Sequence, residues 1–274
     1  MMTVISKKSI FIATVLFLLT TFILAHEYVL LGPQYELKKG DQLILHLFVS
    51  DGFNIELERP LQKNMTRRFE LLTSKGSTNL LTESADNAFP ILNRQVDFEG
   101  TALVHMERDY AKITLTNDKF LEYLKEDHIE GIKIDQSKPE QRERYSRYIK
   151  CLVVSQKVNS TDTLHRARLG HAFEFILLEN PYLLKKGDKL RVQVFFKGKP
   201  LANKIITARN RTGNLPATKQ TARTDDNGIC SFRLNRKGEW FIHATHMIPC
   251  PEPSQADWES FWASYSFGIK RNEF

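Results

Sequence analysis

A histidine follows directly on the first apolar segment of this chain. Lys7 and Lys8 precede the run at residues 10–24, which has the length of a secretory h-region and is short for a membrane span. Ile23-Leu24-Ala25 then offers a small residue at the cleavage point. Cutting there makes His26 the first residue of the exported protein. An α-amino group titrates at about 7.7–8.0, so part of it is deprotonated in neutral medium. The amine and imidazole of one residue can then close a chelate ring on a metal ion.

A second imidazole comes from far along the chain, where His243-Ala-Thr-His246-Met247 precedes Cys250. Successive side chains on a strand alternate faces, so His243 and His246 point oppositely and do not act as a pair. His246 stands at the strand end, beside a loop holding Pro249, Pro251 and Pro253, the kind of place where sites form. Asp257 opens the segment Asp257-Trp258-Glu259-Ser260-Phe261-Trp262-Ala263-Ser264. It adds a carboxylate, either as an oxygen ligand or as the group that orients a ligating ring. The expected metal set is His26, His246 and Asp257, with His105 a weaker third candidate. The structural readings beside these are a half-buried histidine bonded to a carbonyl and a tryptophan-rich loop closing the end of a sandwich. Imidazole and amine nitrogens suit nickel, cobalt, copper and zinc alike, so the expected cofactor is a divalent transition metal. No phosphate loop, nucleophile elbow or zincin helix occurs, and no catalytic residues are expected.

The elements that position these groups come from a duplication. Glu27-Tyr28-Val29-Leu30-Leu31 matches Glu174-Phe175-Ile176-Leu177-Leu178, and at the same offset Tyr35-Glu36-Leu37-Lys38-Lys39-Gly40-Asp41 matches Tyr182-Leu183-Leu184-Lys185-Lys186-Gly187-Asp188. Each copy reads as strand, Lys-Gly-Asp turn, strand. Asp225-Asp226-Asn227-Gly228 and Lys237-Gly238-Glu239 mark further turns between short strands. The expected fold is all-β: two tandem β-sandwich modules, Ig-like or transthyretin-like, at 26–171 and 172–274 behind a signal peptide at 1–25. The first module carries a short helical insertion, with one helix from Asn117 or Asp118 to about His128 and a second starting near Pro139. That second helix is expected to pass Arg142, Tyr145 and Tyr148 before a strand at 151–155.

The formal net charge is +7, with the basic residues scattered. Nucleic-acid binding, which needs a basic stripe, is not expected. The charge suits peripheral contact with an anionic membrane face. Cys151, Cys230 and Cys250 are too few for a disulfide framework, although Cys230 and Cys250 could pair in an oxidising compartment.

The histidine-glutamate-aromatic start, Arg144-Tyr145-Ser146-Arg147-Tyr148, the Lys-Gly-Asp turns, His246-Met247 and the Asp-Trp-Glu-Ser segment together resemble a family of bacterial periplasmic proteins. It is a domain-of-unknown-function family associated with nickel or cobalt uptake transporters. The second module resembles transthyretin-like and carboxypeptidase-regulatory-like sandwiches. The first resemblance implies periplasmic location, nickel or cobalt as the metal, inner-membrane transporter components as partners, and His26, His246 and Asp257 as the matching positions. Two other readings stand against a metal-transport accessory. One is a copper histidine-brace redox enzyme using His26 and His246, and the other a non-catalytic sandwich that binds a polymer or adheres to a partner.

Overall fold

The computed structural model describes residues 26–270, so the expected signal peptide lies outside the described residues. The first half of the chain forms β1 (Glu27–Leu31), β2 (Glu36–Leu37), β3 (Gln42–Asp51), β4 (Asn54–Arg59), β5 (Thr66–Thr73), β6 (Gly76–Asn79), β7 (Leu92–Gln95), β8 (Gly100–Thr116) and β9 (Glu140–Ser155). Two helices interrupt it, α1 (Leu80–Glu83) and α2 (Asn117–Glu126). The second half forms β10 (Phe173–Leu177), β11 (Lys189–Phe196), β12 (Lys199–Pro200), β13 (Ile205–Arg211), β14 (Thr218–Arg223), β15 (Ile229–Arg233), β16 (Gly238–Pro249) and β17 (Trp258–Ile269). No helix among the described residues is long and apolar enough to cross a membrane.

The repeat read from sequence is a repeat of structure. In the first copy Asp41 accepts from the Lys38 N–H at 2.8 Å and Gly40 has φ +90°. In the second, Asp188 accepts from the Lys185 N–H at 2.8 Å and Gly187 has φ +90°. Only glycine takes that left-handed backbone without steric cost, so both turns are specified by the same two residues.

One continuous nine-stranded sheet, ordered β14-β13-β16-β17-β9-β8-β5-β6 with β2 on β9, runs through both halves. Two four-stranded sheets cover it. One is β1-β3-β4 with β7 paired to β3, and the other is β10-β11-β12 with β15 paired to β11. They cover opposite faces, as the alternation along β9 shows. Ile149, Cys151 and Val153 face a core with Leu43, Leu45 and Leu47 of β3, whereas Tyr148, Leu152 and Val154 face one with Val192, Val194 and Trp240. The halves join where β17 lies parallel to β9, from Trp258 beside Glu143 to Ser266 beside Cys151.

Two expectations are corrected by this joint. The segment from Pro139 is not a helix but the first part of the long strand β9. Its Arg142-Tyr145-Tyr148 spacing suggested a 3.6-residue period because charged residues fill the positions that apolar ones usually mark. Several of those charged residues are buried instead, Arg144 Nη2 reaching Glu259 Oε2 at 3.0 Å across to β17. The tryptophan-rich segment is likewise no closing loop but the central strand β17, buried along its whole length. Helix α2 forms as expected, one residue after Thr116, and packs Phe120, Tyr123 and Leu124 on Trp258 and Trp262. All three cysteines are free and buried, and burial pushes the Cys230 thiol up to about 12.

Candidate functional site

Strand β1 is laid against β17 by its neighbour's small side chains. Ser264 Oγ donates to the Tyr28 carbonyl at 2.6 Å and Ser266 Oγ to the Leu30 carbonyl at 2.5 Å. A larger residue at either place would hold the strands apart. This seating carries the start of β1 out over β16, where Glu27 Oε1 stands 3.0 Å from His243 Nδ1.

The pair is buried, with Glu27 7% and His243 8% exposed. Burial works to raise the Glu27 carboxyl, but the His243 ring, by charge and hydrogen bond, outweighs it and holds the group at about 2. Glu27 Oε1 accepts from His243 Nδ1–H, which orients the ring and leaves Nε2 as the nitrogen free to take a further partner. That Nε2 is buried and has no hydrogen-bond partner among the described residues.

His243 lines a cavity of about 550 Å³ together with His26, Glu27, Asp127, His128 and Arg209. His26 is half-buried and its Nδ1 meets Glu56 Oε2 on β4. His128 sits just past α2 at φ +51°, and its Nε2 is also buried without a partner among the described residues. Burial and the charges of Lys219 and Lys204 lower the His128 pKa, so its ring is neutral at pH 7. Burial and the Glu27 charge hold the Asp127 carboxyl well above the usual carboxylate range. Arg209 is turned to Asp51 at 3.3 Å. Three imidazoles and five carboxyls, those of Glu27, Asp51, Glu122, Glu126 and Asp127, thus line one space. Among the described residues, no three His, Cys, Asp or Glu side chains stand in a ready-made coordination shell.

The matching corner of the other half differs in one respect. Glu174, the repeat partner of Glu27, is equally buried, but it meets an ammonium group. Lys150 Nζ lies 2.7 Å from Glu174 Oε1 and donates to the Ala167 and Phe175 carbonyls at 2.9 Å each. Beside it His105, equivalent to His243 when Gly100 is set on Gly238, bonds Glu70 Oε2 at 2.8 Å and lies 3.3 Å from His171 Nε2. His105 is therefore committed to that cluster.

The residues expected from sequence are not gathered in one place. His26 lies at the cavity. His246 lies on the other face of β16, its ring 4.3 Å from that of Phe196 and 6.0 Å from Phe173. Burial, with Lys204 and Lys197, lowers it to about 4. The sheet therefore separates His26 from His246, and a brace of those two rings is not formed. Asp257 is occupied elsewhere. Its carboxylate takes Lys138 Nζ at 2.8 Å, Arg142 Nε at 3.1 Å and the Arg142 N–H at 2.9 Å, and despite some burial these cations keep it well below the usual range. His243 and His128 are the cavity residues that sequence reasoning passed over. The repeat held the clue for His243, because Glu27 and Glu174 are equivalent and both are acids on a strand that needs to be buried.

Among curated proteins none matches this chain. Among solved structures, the D0-D1 domain of Intimin matches at 14% identity and a TM-score of 0.22, covering 89% of this chain and 98% of that one. Residues 23–248 match the family model described as a domain of unknown function, DUF4198, and the chain belongs to that family.

Proposed function

We propose that the protein binds a divalent transition metal in the periplasm and serves as an accessory to a nickel or cobalt uptake transporter of the inner membrane. The ion seats in the cavity at the start of β1, on His243 Nε2 and His26, with Glu27 orienting the His243 ring. The observation that carries this reading is the Glu27–His243 pair, which leaves His243 Nε2 buried and without a hydrogen-bond partner among the described residues, in a residue lining the same cavity as His26 and His128. A buried polar atom without a partner is costly, and a metal bond would remove that cost. The other half of the chain supports the reading, since there the equivalent buried glutamate is matched by the ammonium of Lys150. Cleavage before His26 would add its α-amine as a further nitrogen donor. Nitrogen ligands select for late transition metals without choosing among them, and nickel or cobalt is our reading from the resemblance noted in the sequence.

Equilibrium dialysis of nickel against chain beginning at His26 tests this. One ion per chain is expected, with affinity reduced at least tenfold in His243→Ala and reduced also by an extra residue ahead of His26. Unchanged nickel uptake in His243→Ala overturns the assignment of this site.

A further inference from the structure

We infer that Arg59, Arg108 and Arg147 form a binding site for a small oxyanion, carboxylate or phosphate, beside β1. Arg108 and Arg147 are cross-strand neighbours on β8 and β9. Arg147 Cζ stands 3.8 Å from the ring centre of Tyr28, 4.4 Å from Tyr145 and 5.7 Å from Trp262, the tryptophan on which α2 packs. Arg108 Cζ is 5.5 Å from the same Tyr28 ring. The two guanidinium groups are thus held by aromatic faces, which leave their in-plane N–H edges for an acceptor.

That acceptor is missing. Arg108 is 6% and Arg147 8% exposed. Arg59 Nε, Arg108 Nη1 and Arg147 Nε are buried with no partner among the described residues. Arg108 does bond Gln62 Oε1, at 2.7 Å, but that oxygen is uncharged. The arginines around them have carboxylates, although Arg144 Nε is likewise without a partner among the described residues. Arg144 has Glu252 at 2.9 Å and Glu259 at 3.0 Å, Arg67 has Asp109 at 2.5 Å, and Arg142 has Asp257 at 3.1 Å. The Arg147 charge does reach the Glu143 carboxyl, but burial pushes that group up to about 7 and its Oε1 already accepts from Tyr123 and Ser260. Burial and the nearby charges of Arg147 and Arg59 lower the Arg108 guanidinium, as expected of a cluster lacking a counter-charge.

Burying a charge without a partner is strongly unfavourable, and a planar fork of N–H donors matches an oxyanion better than any neutral ligand. Arg59 and Tyr145 are half-buried, more exposed than Arg108 and Arg147.

The test titrates chain beginning at His26 with inorganic phosphate, citrate or chloride at constant ionic strength, read by Tm and calorimetry. A saturable rise in Tm is expected with phosphate or citrate and not with chloride, and the tighter of the two names the source class. Arg59→Gln and Arg147→Gln are each expected to weaken that binding at least tenfold. Arg108→Met is expected to hold or raise Tm in oxyanion-free buffer and to abolish the oxyanion response. Equal responses to chloride and the oxyanions overturn the inference. So does a full oxyanion response in Arg59→Gln, whose half-buried position makes it the variant least prone to misfold.

Discussion

Ser264 Oγ donates to the Tyr28 carbonyl at 2.6 Å, joining residues 236 positions apart. With the parallel bond from Ser266 to Leu30 and the β1–β3 ladder from Glu27 beside Ser50 to Leu31 beside His46, it helps set where Glu27 ends up. Ser264→Ala removes one donor and is expected to cost about 1 kcal/mol. Ser264→Val adds bulk beneath a strand that lies flat on it and is expected to cost about 1–3 kcal/mol. Urea unfolding measures both. The valine variant should also bind nickel more weakly than the alanine variant, because it lifts Glu27 from His243.

Glu27→Gln keeps the shape of the side chain but removes the charge that orients the His243 ring. Loss of such an orienting carboxylate lowers metal affinity by about 10–100-fold in general, and that range is expected here by calorimetry. His246→Ala, on the other face of the sheet, is expected to leave nickel affinity within about twofold, since no ligand bond is lost.

Glu143 gives the protein a pH dependence of opposite sign to the usual carboxylate. Burial raises it from 4.5 to about 7 against the hydrogen bonds of Ser260 and Tyr123 and the charge of Arg147. The folded chain therefore holds a proton that the unfolded chain has already released, and stability falls as pH rises from 4.5 to about 7. The full span corresponds to about 3 kcal/mol. Glu143→Gln, neutral at every pH, is expected to remove this slope from a series of urea midpoints between those limits.

Lys150 and Glu174 form a buried ion pair with side chains 3% and 1% exposed. Lys150→Met strands the carboxylate and is expected to cost about 3–5 kcal/mol. The double variant Lys150→Met with Glu174→Leu is expected to recover most of that loss, because two buried charges leave together. Equal instability of the single and double variants would show that the pair contributes through packing alone.

The repeat, the all-β class and the Lys-Gly-Asp turns were legible because each rests on local residues, such as Gly40 and Asp41, whose conformation depends on little else. The joint between the halves was not. β9 reads as polar because Glu143, Arg144 and Arg147 are buried in contacts with β17 and β1, and partners that distant in sequence leave no local periodicity. The site was legible in the same uneven way. His26 and the opposition of His243 and His246 follow from the sequence, but which ring faces β1 depends on the placement of β1 on β17. That placement draws on two serine hydroxyls with no motif to announce them. His128 reaches the cavity only because the chain turns at positive φ after α2.

Crystals of the chain beginning at His26, soaked in cobalt and measured at the cobalt absorption edge, locate the ion directly. A single anomalous peak about 2 Å from His243 Nε2 and from a nitrogen of His26 is the expected result. A peak confined to the surroundings of His246 or Asp257, or no peak at saturating cobalt, would contradict the account.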